Sequence, residues 1–147
     1  MQSLKHILLA EDNLEDIQLT LEALEGCRLA NHVMVVRDGA DALDYLYRRN
    51  RYKDRNDVQP MVIFLDIKMP KIDGVEVLRQ IKADQHLRMI PVVMVTSSRE
   101  QRDLLSSYQL GANSYVVKPI DFSQFVKAIQ ELGLYWAVLN ELPLESK

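Results

Sequence analysis

Met61-Val62-Ile63-Phe64-Leu65-Asp66 runs five apolar residues without a break into one carboxylate. A strand with one face in water alternates apolar and polar residues, whereas a strand covered on both faces reads as a continuous apolar run. This stretch therefore predicts a central strand of a parallel sheet, with Asp66 at its C-terminal end. Two other stretches are written the same way. Ile7-Leu8-Leu9-Ala10 runs into Glu11-Asp12, and Tyr115-Val116-Val117 runs into Lys118-Pro119. In a parallel sheet those ends share one edge, where open α/β folds place their sites. Three carboxylates and a lysine gathered there can hold a divalent cation and a phosphoryl group.

Outward from these ends the chain alternates strands with amphipathic helical segments, the pattern of βαβ units. The strands are predicted at about His6 to Ala10, Val33 to Val36, Met61 to Leu65, Val92 to Val95 and Tyr115 to Val117. Asn13 can cap a first helix carrying Leu14, Ile17, Leu21 and Leu24, which Gly26 ends. Later helices carry Ala42, Leu43, Leu46 and Tyr47; then Val77, Leu78 and Ile81; then Leu104, Leu105, Tyr108 and Leu110, stopped by Gly111. A last helix begins near Asp121 or Ser123 and is read as running past Leu139. The fold class is α/β: a doubly wound, five-stranded parallel sheet with helices on both faces. Its order, 2-1-3-4-5, is taken by analogy with flavodoxin-like proteins and sets the first and third strands side by side.

The chain has 147 residues, 48% of them hydrophobic and 27% charged, as expected of one globular domain. We read residues 1–147 as that single domain, ending in an extended tail over about 134–147, with no output domain. The net charge of -3 gives no nucleic-acid footprint. The basic run from Arg48 to Arg55 is diluted by acids and reads, together with the polar stretch to Gln59, as a solvated, mobile loop. Cys27 stands alone, and His6, His32 and His86 have no metal-ligand spacing. The four-residue apolar run before Glu11 is too short for a signal peptide or a membrane span, so a cytoplasmic location is expected.

Crowded carboxylates raise one another's pKa, and a divalent cation removes that penalty. Mg²⁺ is typically held by one or two carboxylates with waters and phosphate oxygens. Asp66 is the candidate nucleophile, since a carboxylate can attack phosphorus to form an aspartyl-phosphate. Lys118 supplies a point charge for the phosphate. Thr96, at the end of the fourth strand, can donate a hydroxyl to a phosphate oxygen.

Glu11-Asp12, Leu65-Asp66-Ile67-Lys68-Met69-Pro70, Asp73-Gly74, Val95-Thr96-Ser97 and Tyr115-Val116-Val117-Lys118-Pro119 together resemble a two-component response-regulator receiver domain over nearly the whole chain. The resemblance implies that Asp66 accepts a phosphoryl group from a histidine kinase. It implies Mg²⁺, or Mn²⁺, on Asp12, Asp66 and the Lys68 main-chain carbonyl, with Glu11 reaching the metal through water. It gives Lys118 the phosphate, makes Thr96 and Tyr115 the switch pair, and implies a cis Lys118-Pro119 bond. The insert before Pro60 and the tail from Leu134 to Pro143 are similar to the stand-alone regulators of phytochrome-type kinases. Lys68 departs from the residue that many relatives carry, which bears on the phosphate lifetime.

Other readings fit less well. A haloacid-dehalogenase-type phosphatase needs an acid where Lys68 stands, and no glycine- or hydroxyl-rich loop follows Ala10 to hold a flavin phosphate. An adaptor that never takes phosphate differs only at Asp66. The expected protein is thus a phosphoryl acceptor rather than an enzyme, acting through protein contacts or by passing phosphate to a downstream phosphotransfer protein. One stripe of the last helix, Phe122, Phe125, Val126, Ile129, Leu132 and Trp136, has the spacing of a face packed on the sheet. Leu134, Tyr135, Val138, Leu139 and Leu142 add apolar surface off that stripe, and predict a homodimer.

Overall fold

The computed structural model describes residues 6–26, 32–119 and 121–132. Five strands and five helices alternate along it: β1 Ile7–Ala10, α1 Leu14–Glu25, β2 Val33–Val36, α2 Gly39–Tyr47, β3 Val62–Leu65, α3 Gly74–Ala83, β4 Val92–Thr96, α4 Gln101–Leu110, β5 Ser114–Val117 and α5 Phe122–Glu131. The strands form one parallel sheet in the order β2-β1-β3-β4-β5, as the sequence predicts. None of the described helices is long and apolar enough to cross a membrane.

The two-residue period of the strands divides the core. Leu8, Ala10, Ile63, Leu65, Val92 and Met94 face α2 and α3. Ile7, Leu9, Val62, Phe64, Val93 and Val95 face α1 and α5, where the Phe64 and Phe125 rings stack at 5.2 Å. Each large apolar side chain buried this way contributes about 1.5–3 kcal/mol. Four helices start on side-chain caps. Asn13, Asp38, Asp73 and Asp121 each accept the backbone N–H three residues on, at 2.7–2.9 Å, each cap contributing about 1 kcal/mol.

α4 is held less firmly. Its first residue follows Glu100, whose side chain makes no cap. Ser107 is its buried residue, while Leu105 and Tyr108 are about half exposed. The apolar spacing of Leu104, Leu105, Tyr108 and Leu110 is therefore only partly a core face. The α5 stripe needs a similar correction. Phe125 and Ile129 are buried and Leu132 packs against the core, but Phe122 is 49% exposed and lies beside Gly26. Trp136 and the tail over 134–147 lie outside the described residues.

The insert from Arg48 to Gln59 is not a bare solvated loop. Arg55 lies over the Tyr45 ring at 3.9 Å, with its side chain only 8% exposed. Its guanidinium donates to the Tyr45 carbonyl at 3.1 Å, to Asp57 at 2.6 Å and to Gln59. Gln59 donates on to the Leu46 carbonyl at 2.8 Å, and Arg48 to the Asp57 carbonyl at 2.6 Å. A 3₁₀ turn over Asn50–Tyr52 sets Arg51 and Tyr52 on Asp41, at 2.7 and 3.0 Å. The Tyr45 hydroxyl meets His6 Nε2 at 2.9 Å, in the N-terminal edge of the sheet, so His6 is structural. Charge patterning missed this because the partners are α2 carboxylates, backbone carbonyls and tyrosine rings, not the neighbouring acids alone.

Candidate functional site

Strand register builds the site. Ala10 pairs with Val36 on one side and Leu65 on the other, so the residues after it leave the sheet at one level. The ladder continues one step further: Glu11 N–H donates to the Val36 carbonyl and Asp66 N–H to the Ala10 carbonyl, each at 3.0 Å. On the other side Thr96 pairs with Val117, and Lys118 N–H donates to the Thr96 carbonyl at 2.9 Å. Glu11, Asp12, Asp66, Thr96 and Lys118 thus share the C-terminal edge.

One carboxylate oxygen from each of Glu11, Asp12 and Asp66 lies within 4.8 Å of the others. Glu11 and Asp66 are buried and Asp12 is half-buried. Lys118 Nζ sits among them, 2.7 Å from Glu11 Oε1 and 3.1 Å from Asp66 Oδ2. The Lys118-Pro119 bond is cis. Burial pushes the Glu11 carboxyl up to about 7, the Lys118 hydrogen bond opposing and the Asp66 charge adding to the rise. For Lys118 burial disfavours the charge, but hydrogen bonds to Asp16 and Glu11 and the nearby carboxylates outweigh it and hold the ammonium above its ordinary value. Asp66 Oδ1 is buried without a hydrogen-bond partner among the described residues. Such an orphaned oxygen is costly unless something absent from the chain meets it. Clustered carboxylate oxygens with one lone pair set unused fit a hard, oxygen-seeking divalent cation.

The loop after β3 is braced against the site. Gly74 N–H donates to the Ile67 carbonyl at 2.7 Å, and a Cβ on Gly74 would stand 2.0 Å from the Asp66 carbonyl oxygen. Only glycine lets α3 start this close. Lys68 in that loop is exposed.

Thr96 is fully buried, and its hydroxyl oxygen accepts the Ser98 N–H at 3.2 Å. The half-buried Tyr115 donates its hydroxyl to the Ser98 carbonyl at 3.1 Å. Ser98 Oγ donates to Asp103 of α4 at 2.6 Å. Ser98 therefore joins Thr96, Tyr115 and α4, a link that sequence spacing did not reveal. Asp16 was also missed: its Oδ2 lies 2.7 Å from Lys118 Nζ. An acid in the first turn of α1 is favoured by the helix dipole alone, so its sequence position carries no sign of the lysine.

A strand edge presenting this acid cluster, a buried threonine and a lysine has the groups to hold a divalent cation and a phosphoryl group. The family model "Response regulator receiver domain" matches residues 7–130, and the chain belongs to that family, whose members take a phosphoryl group on an aspartate from a kinase. The chain is similar to two solved bacteriophytochrome response regulators. It is 59% identical to AtBRR, over 94% of this chain and 99% of that one, with a TM-score of 0.83. To RtBRR it is 57% identical, over 94% and 83%, with a TM-score of 0.84. It is also 35% identical to response regulator Rcp1 of Synechocystis sp., over 95% of this chain and 93% of the relative. The Mn²⁺-bound form of Rcp1 superposes with a TM-score of 0.74 at 31% identity, over 95% and 97%.

Proposed function

We propose that Asp66 is the phosphoryl acceptor of a response regulator served by a phytochrome-type histidine kinase. The observation that carries this is the buried Asp66 carboxylate, with one oxygen on Lys118 and the other without a partner among the described residues. A carboxylate oxygen of Asp66 attacks phosphorus while the bond from phosphorus to the kinase imidazole nitrogen breaks. The electron pair of that bond stays on the imidazole, and a mixed anhydride forms on Asp66. Lys118 neutralises phosphoryl oxygen charge, and the buried Thr96 hydroxyl donates to one of those oxygens. Asp12, Asp66 and the Lys68 main-chain carbonyl would hold Mg²⁺ or Mn²⁺, with Glu11 reached through water; the ion supplies charge neutralisation of the transferring group. The Mn²⁺ in the Rcp1 structure supports that choice of ion.

Similarity to two bacteriophytochrome regulators supports the kinase type. Donation to the phosphoryl group draws the Thr96 side chain inward and strains the contact its oxygen accepts from the Ser98 N–H, and Ser98 passes the change to Tyr115 and α4. The weakly anchored α4 is the element this biases. Output then runs through protein contacts, or through a downstream phosphotransfer protein, rather than through substrate turnover. The lone Cys27 suits a reducing cytoplasm. The apolar surplus in the tail supports a homodimer, which Tyr135→Glu with Leu142→Glu would convert to a folded monomer; unchanged mass in light scattering would refute that assignment.

The acceptor is tested by chemistry. Borohydride reduces an acylated aspartate to homoserine, so the phosphorylated chain should yield homoserine at position 66 on peptide mapping. A reduced residue elsewhere in the acid cluster would overturn the assignment.

A further inference from the structure

We infer that Asp16 is a positioning residue that competes with the phosphoryl group for Lys118. The inference rests on Asp66 being the acceptor. An ammonium has three N–H donors. Those of Lys118 are taken by Glu11 at 2.7 Å, Asp16 at 2.7 Å and Asp66 at 3.1 Å. The side chain is only 10% exposed, so water does not readily supply further partners. A doubly charged phosphoryl group on Asp66 carries several acceptor oxygens. Its first N–H comes from the long Asp66 contact. Any second N–H that Lys118 turns to it is taken from Glu11 or Asp16.

Asp16 is the partner that can be given up. Glu11 is 2% exposed at its side chain, belongs to the acid cluster and lies at the metal site. Without the lysine its Oε1 would be a buried oxygen with no donor, the Asn13 N–H at 3.2 Å serving only Oε2, and that costs more than rehydrating an exposed group. Asp16 is 29% exposed at its side chain, lies outside that cluster and stands in the first turn of α1. Water can take the place of the lysine there. Asn13 fixes its position, since the Asn13 side chain accepts the Asp16 N–H at 2.9 Å. In the resting protein the Asp16–Lys118 pair therefore ties the start of α1 to the end of β5, 102 residues away in sequence. Phosphorylation draws Lys118 inward and loosens that tie.

Two measurements separate the parts of the claim. The first needs no phosphoryl group: thermal stability of the metal-free protein across the cycle Asp16→Asn, Lys118→Met and the double variant. With Lys118 present, Asp16→Asn should lower Tm, because an ion pair is lost. In the Lys118→Met background it should leave Tm unchanged or raise it, because only carboxylate repulsion remains to be relieved. Equal shifts in both backgrounds would overturn the pairing. The second is equilibrium binding of beryllofluoride, a phosphoryl mimic, at fixed Mg²⁺. Asp16→Asn should tighten it by about three- to tenfold, between the effects of an exposed and a buried ion pair. Asp16→Glu should stay near the wild type. Weaker binding by Asp16→Asn would show Asp16 to be an anchor rather than a competitor and overturn the inference. Failure of the unsubstituted protein to bind beryllofluoride at all would instead remove the acceptor reading and the competition with it, while the stability cycle would still report the pair.

Discussion

Arg55→Ala separates a built insert from a solvated loop. Removing the guanidinium takes away its contact with the Tyr45 ring at 3.9 Å, worth about 1 kcal/mol when partly desolvated. It also removes charged donors from the Tyr45 carbonyl and from Gln59, and the aliphatic stem from a site where the side chain is 8% exposed. Charge-assisted hydrogen bonds contribute about 1.5–3 kcal/mol each. The discount is large: Asp57 is 45% exposed and rehydrates, and the Tyr45 carbonyl keeps the Arg48 N–H at 3.3 Å. About 3 kcal/mol is left. For a domain of this size that is a fall in Tm of about 6–12 °C. A residue in a solvated loop would change stability by no more than about 0.5 kcal/mol. Thermal unfolding followed by circular dichroism resolves the two. The acid cluster lies at the other edge of the sheet, so phosphate acceptance should be unchanged. A Tm shift below about 2 °C would refute the reasoning.

Three further outcomes follow from the site. Gly74→Ala puts a Cβ 2.0 Å from the Asp66 carbonyl oxygen, so it should cost about 3 kcal/mol or more and weaken Mg²⁺ binding; near-wild-type urea unfolding would contradict this. Because the folded-state Glu11 carboxyl is raised from 4.5 to about 7, the folded chain holds a proton that the unfolded chain releases, and stability from this group falls as pH rises through that window and stays lowered above it. Metal binding requires the proton to leave, so Mg²⁺ affinity should rise about tenfold between about pH 6 and pH 8 in calorimetry, and a flat profile would count against the Glu11 role. Thr96→Ala should still accept phosphate but lose the phosphorylation-dependent change at Tyr115 and α4, read by amide NMR shifts; normal switching would break the proposed link through Ser98.

The sheet was legible because a doubly covered strand announces itself. Leu8-Leu9, Val62 to Leu65 and Val92 to Val95 admit no polar face, and Asn13 and Asp121 cap the helices as their positions suggest. The acid cluster was legible because strand ends in a parallel sheet share an edge, so Glu11, Asp12, Asp66 and Lys118 needed only register to meet. What stayed hidden has a common physical origin. Asp16 and Arg55 reach side chains or rings on other elements, Lys118 and the Tyr45 ring, while Ser98 acts through its backbone N–H and carbonyl on the Thr96 and Tyr115 hydroxyls. Long polar side chains carry no periodicity that says where they reach. Phe122 shows the converse, since helical spacing marked a face but not where the sheet beneath it ends.

The central claim is that Asp66 takes a phosphoryl group in a metal-dependent step. Intact-mass analysis after incubation with phosphoramidate tests it most directly, with Mg²⁺ and with a chelator, for the unsubstituted chain and for Asp66→Asn. The account predicts one added phosphoryl group, present only with Mg²⁺, absent from Asp66→Asn and lost in mild base. Equal labelling of Asp66→Asn, or no labelling of the unsubstituted chain with Mg²⁺, would contradict it.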